Sequence, residues 1–81
     1  MKVTVRFFAA PREAIGRSEI EQHLPEGATV RQLLDELTAQ YPALHRYLET
    51  MNMAVNRHYV DLDVELRDGD VVACVPPVGG G

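Results

Sequence analysis

"TVRQLLDELTAQYP", residues 29–42, is the stretch of this 81-residue chain in which one periodicity runs without interruption. Val30, Leu33, Leu34 and Leu37 recur at i, i+3, i+4 and i+7, which places them in one apolar stripe along a helix. Thr29 and Gln32 have the T-x-x-Q spacing of a capping box, where each side chain satisfies a backbone donor left unpaired by the first helical turn. Pro42 disfavours helical backbone at the residue before it and marks the end. A helix apolar on one side needs a surface to cover that side, and the flanking sequence offers the strands of a sheet.

Toward the N-terminus, "KVTVRFFA" (2–9) alternates, with Val3, Val5 and Phe7 on one face and Lys2, Thr4, Arg6 and Phe8 on the other. That is the pattern of a half-buried strand, and it leaves Phe8 on the polar face. Pro11 interrupts it, and "PREAIG" (11–16) has the form of a short helix with Pro in its first turn and Gly16 as a stop. "SEIEQHL" (18–24) supplies a second strand through Ile20 and Leu24, closed by the turn residues "PEG".

Toward the C-terminus, "ALHRYLE" (43–49) makes a further short helical turn. "MAVNRHYV" (53–60) contains two short β-prone pieces around Asn56 and Arg57. "LRDGDVVACVPP" (66–77) turns at Asp68-Gly69 into a final strand. The order reads β-β-α-β-β with short helical inserts, an α+β arrangement in which one main helix packs across a mixed sheet. A β-grasp fold meets that description, although element order alone does not single it out.

The composition narrows the function. A hydrophobic fraction of 46% and a charged fraction of 25% are those of an ordinary globular domain, and 81 residues leave room for one modest core. The net charge of −4, with Lys2 the only lysine, offers no clustered cations to meet nucleic acid phosphates or an anionic membrane. No window is long enough to span a bilayer, and no leader pattern opens the chain, so a cytoplasmic location is expected.

Cys74 lies inside the apolar run "VVACV" and reads as a small core hydrophobe, with a reactive thiol as the alternative. His23, His45 and His58 are too irregularly spaced for a metal site. Asp61, Asp63 and Glu65 do not continue as a calcium loop, because Leu66 stands where the turn needs Gly and Val72 where the last ligand would be. The chain has no phosphate-binding loop. The acidic run from Asp61 to Asp70 reads as a solvated face, or as a region that steers a basic partner.

What remains is the end, "VPPVGGG" (75–81). Glycine-rich ends are often plain linkers. Here, however, the glycines follow a strand, and Pro76 and Pro77 have fixed φ and no amide hydrogen, so the tail would project from a stiff base. Glycine has no Cβ, which lets a backbone enter a narrow channel in another protein. The α-carboxylate of Gly81, with an ordinary pKa of about 3.3–3.7, is ionised at neutral pH and must be activated before it can accept a nucleophile. Adenylation by a partner that uses ATP, followed by attack of sulfur, would give a thiocarboxylate.

Three segments, "VRFFAAPREAIG", "AVNRHYV" and "LRDGDVVACVPPVGGG", resemble in order the MoaD type of ubiquitin-like sulfur carrier, the small subunit of molybdopterin synthase. The resemblance covers essentially the whole chain. Its most specific parts are the strings "FFA..RE..G" and "DGD.V...PPV.GG".

The resemblance implies a ubiquitin-like β-grasp domain at residues 1–77 with a flexible glycine tail at 78–81. Gly81, preceded by Gly80, would be adenylated by a MoeB-like enzyme and then thiolated. The tail would enter a MoaE-like large subunit and donate sulfur to a cyclic pterin precursor, in an assembly of two large and two small subunits. This chain would bind no cofactor and would not be catalytic alone. The family's docking surface falls on Phe8, Tyr59 and Val75, and the arm on Pro76, Pro77, Val78 and Gly79.

Gly79 departs from the Ser, Thr or Ala more often found there, and a triple glycine also ends ThiS, the carrier for thiamine thiazole. The "FFA" and "PPV" strings favour the molybdopterin branch. Carriers for cysteine or tRNA thiolation, a ubiquitin-like protein modifier and an interaction domain with an inert end remain the alternatives.

Overall fold

The alternation of residues 2–8 becomes structure in a computed structural model that describes residues 1–77. The expected boundary before a tail at 78–81 lies outside the described residues. Val3, Val5 and Phe7 are buried in β1 (Lys2–Phe7), while Lys2 and Arg6 are exposed. There follow α1 (Ala9–Ile15), β2 (Glu19–His23), α2 (Val30–Gln40), a 3-10 helix (Pro42–Tyr47), β3 (Asn52–Val55), β4 (His58–Tyr59) and β5 (Val71–Val75).

The strands form one sheet in the order β2-β1-β5-β3-β4. β1 and β5 are parallel and adjacent, and every other pairing is antiparallel. Parallel neighbours need a long crossover, and here the crossover is nearly the whole chain, α2 included. The sequence order β-β-α-β-β is one strand short, because "MAVNRHYV" folds as two strands. Asn56 and Arg57 form their connection with φ of 50° and 73°, the left-handed pair that a two-residue hairpin turn requires.

The stripe on α2 is buried as the periodicity predicts: Val30, Leu33, Leu34 and Leu37 pack in one core with Val3, Val5, Phe7, Met53, Val72 and Cys74 of the sheet. Both halves of the capping box are formed. Thr29 N donates to Gln32 Oε1 at 2.8 Å, and Gln32 N donates to Thr29 Oγ1 at 3.3 Å. Gly16 ends α1 in the left-handed region at φ 79°, and its amide donates to the Arg12 carbonyl at 2.8 Å.

The acidic run proves to be more than a solvated face. Its carboxylates at Asp61, Asp63, Glu65 and Asp68 point outward, but its backbone serves the helix. Val30 N and Arg31 N, two donors the first turn cannot use internally, donate to the carbonyls of Val64 (3.0 Å) and Leu62 (2.9 Å). Leu66, within the run, is buried in the core.

Candidate docking face

Residues directly opposite one another in a sheet share a face, so the register assigns the face turned away from α2. Arg6 pairs with Ala73, Ala73 with Ala54 and Ala54 with Tyr59, a row that crosses four strands. On either side of it run Thr4 with Val71, and Val75 with Asn52. Phe8 follows β1 in extended backbone (φ −127°, ψ 151°), so the alternation carries it to the same face. The Arg6 guanidinium carbon lies 5.7 Å from the centre of its ring, which confirms the shared side and adds a cation–π contact.

The face has two halves. Over β2 and β1 it is charged, with Arg6 Nε 3.6 Å from Glu19 and Lys2 Nζ 3.8 Å from Glu21. These pairs are exposed, so each contributes between about 0 and 1 kcal/mol. Over β5, β3 and β4 it is mainly apolar, with Val71, Ala73, Val75, Ala54 and Tyr59 beside the polar Asn52, and Phe8 at the boundary. Phe8 is 37% exposed and Tyr59 67%. Both are large apolar side chains on the face turned away from α2.

Phe8 and Tyr59 do not meet. Three strand spacings separate them, about 14 Å, with half-buried Val75 on β5 between. Each borders its own depression. Phe8 lines one of about 390 Å³ with Arg6, Asn56, Arg57, Val71 and Ala73. Tyr59 lines one of about 520 Å³ with Asn52, Val60, Asp61 and Val64. From Val75 the chain passes through half-buried Pro76 to exposed Pro77. Val78, Gly79, Gly80 and Gly81 lie outside the described residues.

Cys74 is fully buried, on the opposite side of β5 from this face, and desolvation in the core pushes its thiol up to about 12. It is a core residue without a reactive thiolate. Among the described residues no group of three His, Cys, Asp or Glu side chains is placed to hold a metal ion. No helix among them is long and apolar enough to cross a membrane.

Alternation had already put Arg6 beside Phe8, but sequence reasoning missed Asn56, Arg57, Val71 and Ala73 as members of this face. The signal for Val71 and Ala73 was present. Once Cys74 is placed in the core, alternation sends Val71, Ala73 and Val75 to the other side. Asn56 and Arg57 reach the face only through the hairpin turn, which periodicity does not locate.

One helix laid across a mixed five-stranded sheet, with the last strand parallel to the first at its centre, defines a ubiquitin-like β-grasp protein. The ThiS family matches residues 5–81, and the chain belongs to it. A molybdopterin synthase sulfur carrier subunit from Chlamydomonas reinhardtii is 41% identical, and one from Mycobacterium tuberculosis 39%; the alignments take in all of this chain and 100% and 99% of theirs.

Among solved structures, a Pyrococcus furiosus protein described as a putative molybdopterin converting factor subunit 1 is 43% identical. It superposes with a TM-score of 0.88, covering 96% of this chain and 99% of its own. SAMP1 of Haloferax volcanii is 28% identical with a TM-score of 0.90 over 100% of both chains. A chain in a complex of subunits 1 and 2 of the molybdopterin-converting factor of Helicobacter pylori is 30% identical with a TM-score of 0.74, again over 100% of both.

Proposed function

We propose that this chain is the sulfur-carrying small subunit of a molybdopterin synthase. The observation that carries the reading is the course of β5. It runs beside β1 at the centre of the sheet with Cys74 opposite Phe7, so Val75 lies on the face that Phe8 shares, and Pro76 and Pro77 lead from there toward the glycines. Docking of that face and delivery of the arm are then one event. The full-length likeness to two sulfur carrier subunits supports it, as does the likeness to one member of a two-subunit complex.

The chemistry falls to Gly81, because the only thiol is buried and held protonated. A carboxylate oxygen of Gly81 attacks the α-phosphorus of ATP on a MoeB-like partner, and pyrophosphate leaves. A sulfur nucleophile then displaces AMP, and the resulting thiocarboxylate is a carrier of sulfur at neutral pH. Gly80 and Gly79, without Cβ atoms, let the arm thread into a MoaE-like large subunit, and Val78, Pro77 and Pro76 hold its base. There it gives its one sulfur to the cyclic pyranopterin monophosphate, Gly81 returning to a carboxylate by hydrolysis, and a second charged chain gives the second sulfur that completes the dithiolene. Phe8, Tyr59 and Val75 make the docking contact. Two large and two small subunits form the working assembly, located in the cytoplasm. ATP belongs to the activating partner, and the chain itself holds no cofactor.

The test is reconstitution with the large subunit after deletion of Gly80 and Gly81. The truncated chain folds and binds but makes no dithiolene. Dithiolene formation by the truncated chain would overturn the reading. The resemblance to SAMP1 favours one second reading, attachment to protein lysines through the same activated terminus. Lysine adducts of the arm, found by peptide mass spectrometry of cell extracts, would support it.

A further inference from the structure

Arg57 stands where a two-residue hairpin turn ordinarily has glycine. The turn between β3 and β4 needs two residues at positive φ, and Asn56 suits the first position well. Its side chain is fully engaged: Nδ2 donates to Asp70 Oδ1 at 2.9 Å, and Oδ1 accepts from Val71 N at 3.0 Å. Arg57 has φ 73°, where a Cβ crowds the backbone, and a long side chain gains nothing there for the fold. Among the described residues it makes no ion pair or hydrogen bond.

Its side chain borders the 390 Å³ depression on the open face, together with Arg6, Phe8, Val71 and Ala73. Two guanidinium groups therefore flank an apolar floor on a chain whose net charge is −4. The neighbouring carboxylates are committed elsewhere. Glu19 is paired with Arg6 on the far side of β1, and Asp70 accepts from Asn56 and from the amide of Arg67 at 2.8 Å. The sterically disfavoured residue is thus the one cation of this depression that no other side chain neutralises among the described residues.

We propose that this depression receives an Asp or Glu side chain of the large subunit, set beside an apolar one. Arg57 binds the carboxylate and the apolar neighbour lies over Phe8 and Ala73. The guanidinium fork matches a carboxylate in shape and charge, and a cation at the rim of an interface raises the rate of encounter. The inference rests on the functional reading above and names the chemistry by which the partner is chosen.

The experiment measures association of the full chain with its large subunit by surface plasmon resonance at low and high salt. The variants are Arg57→Glu, Arg57→Gly and Arg57→Lys, with thermal unfolding of each. Arg57→Gly is expected to unfold at a temperature equal to or above that of the parent, yet to bind several-fold more weakly. Arg57→Glu is expected to weaken binding at least about tenfold, chiefly in the association rate, with a loss of salt dependence, and Arg57→Lys to recover part of it. If Arg57→Glu and Arg57→Gly bind as the parent does at low salt, the inference is overturned while the functional reading stands. If the parent chain does not bind the large subunit at all, both fall.

Discussion

Phe7 and Cys74 stand opposite each other in the parallel pair of β1 and β5, both facing the core beneath α2. That single register does two things. It anchors the last strand in the most buried part of the sheet, and it turns the next residue of each strand, Phe8 and Val75, toward the open face. Core packing thus fixes β5 through Cys74, two residues before the first proline.

The buried thiol makes stability depend on pH at the alkaline end. Its pKa rises from 9.0 in the unfolded chain to about 12 in the folded one, through desolvation. Above pH 9 the unfolded state loses the proton while the native state keeps it, so the stabilisation present below pH 9 is lost progressively up to about 12. The slope from this group approaches about 1.4 kcal/mol per pH unit. Urea unfolding of the parent and of Cys74→Ala across this range shows a steeper decline in the parent. Equal slopes would mean the thiol is not desolvated.

The capping box sets the start of α2. Thr29→Ala removes the acceptor for Gln32 N and should cost about 1 kcal/mol, read as a lowered urea midpoint at unchanged m-value. The loss stays modest because Val30 N and Arg31 N keep their partners in the carbonyls of Val64 and Leu62.

How much of this was legible follows from the range of each signal. The α2 stripe, the capping box, the Gly16 stop and the alternation that set Phe8 apart are local patterns, and each is found in place. The two β-prone pieces around Asn56 and Arg57 were legible, but the left-handed turn between them was hidden because Arg57 is not a residue that signals positive φ. The role of residues 61–66 was hidden because backbone carbonyls cap α2, and carbonyls leave no trace in side-chain pattern. For the face itself, the sequence supplied Phe8, Tyr59 and Val75 through family resemblance. Alternation put Arg6 on the side of Phe8, but bringing Arg57 to the same depression needed the strand order, which no local pattern contains.

Phe8 and Leu33 should separate binding from folding. Phe8→Ala removes a partly exposed ring and lowers stability by less than about 1 kcal/mol. If the ring is buried by the large subunit, the substitution forgoes roughly 1.5–3 kcal/mol there, a loss in affinity of at least about tenfold. Leu33→Ala, in the core, should destabilise by about 2–5 kcal/mol and leave the affinity of the folded fraction intact. Calorimetric titration against the large subunit, with urea unfolding of each variant, gives both quantities.

The central claim is that the last glycine carries sulfur, and intact mass spectrometry tests it most directly. The chain is incubated with an adenylating enzyme, ATP and a sulfur donor, and its mass is compared with that of a sample lacking ATP. The account predicts replacement of one oxygen by sulfur, localised to Gly81 by fragmentation and absent when Gly81 is deleted. An unchanged mass on a chain whose tail is intact, or sulfur found on Cys74 instead, would contradict it.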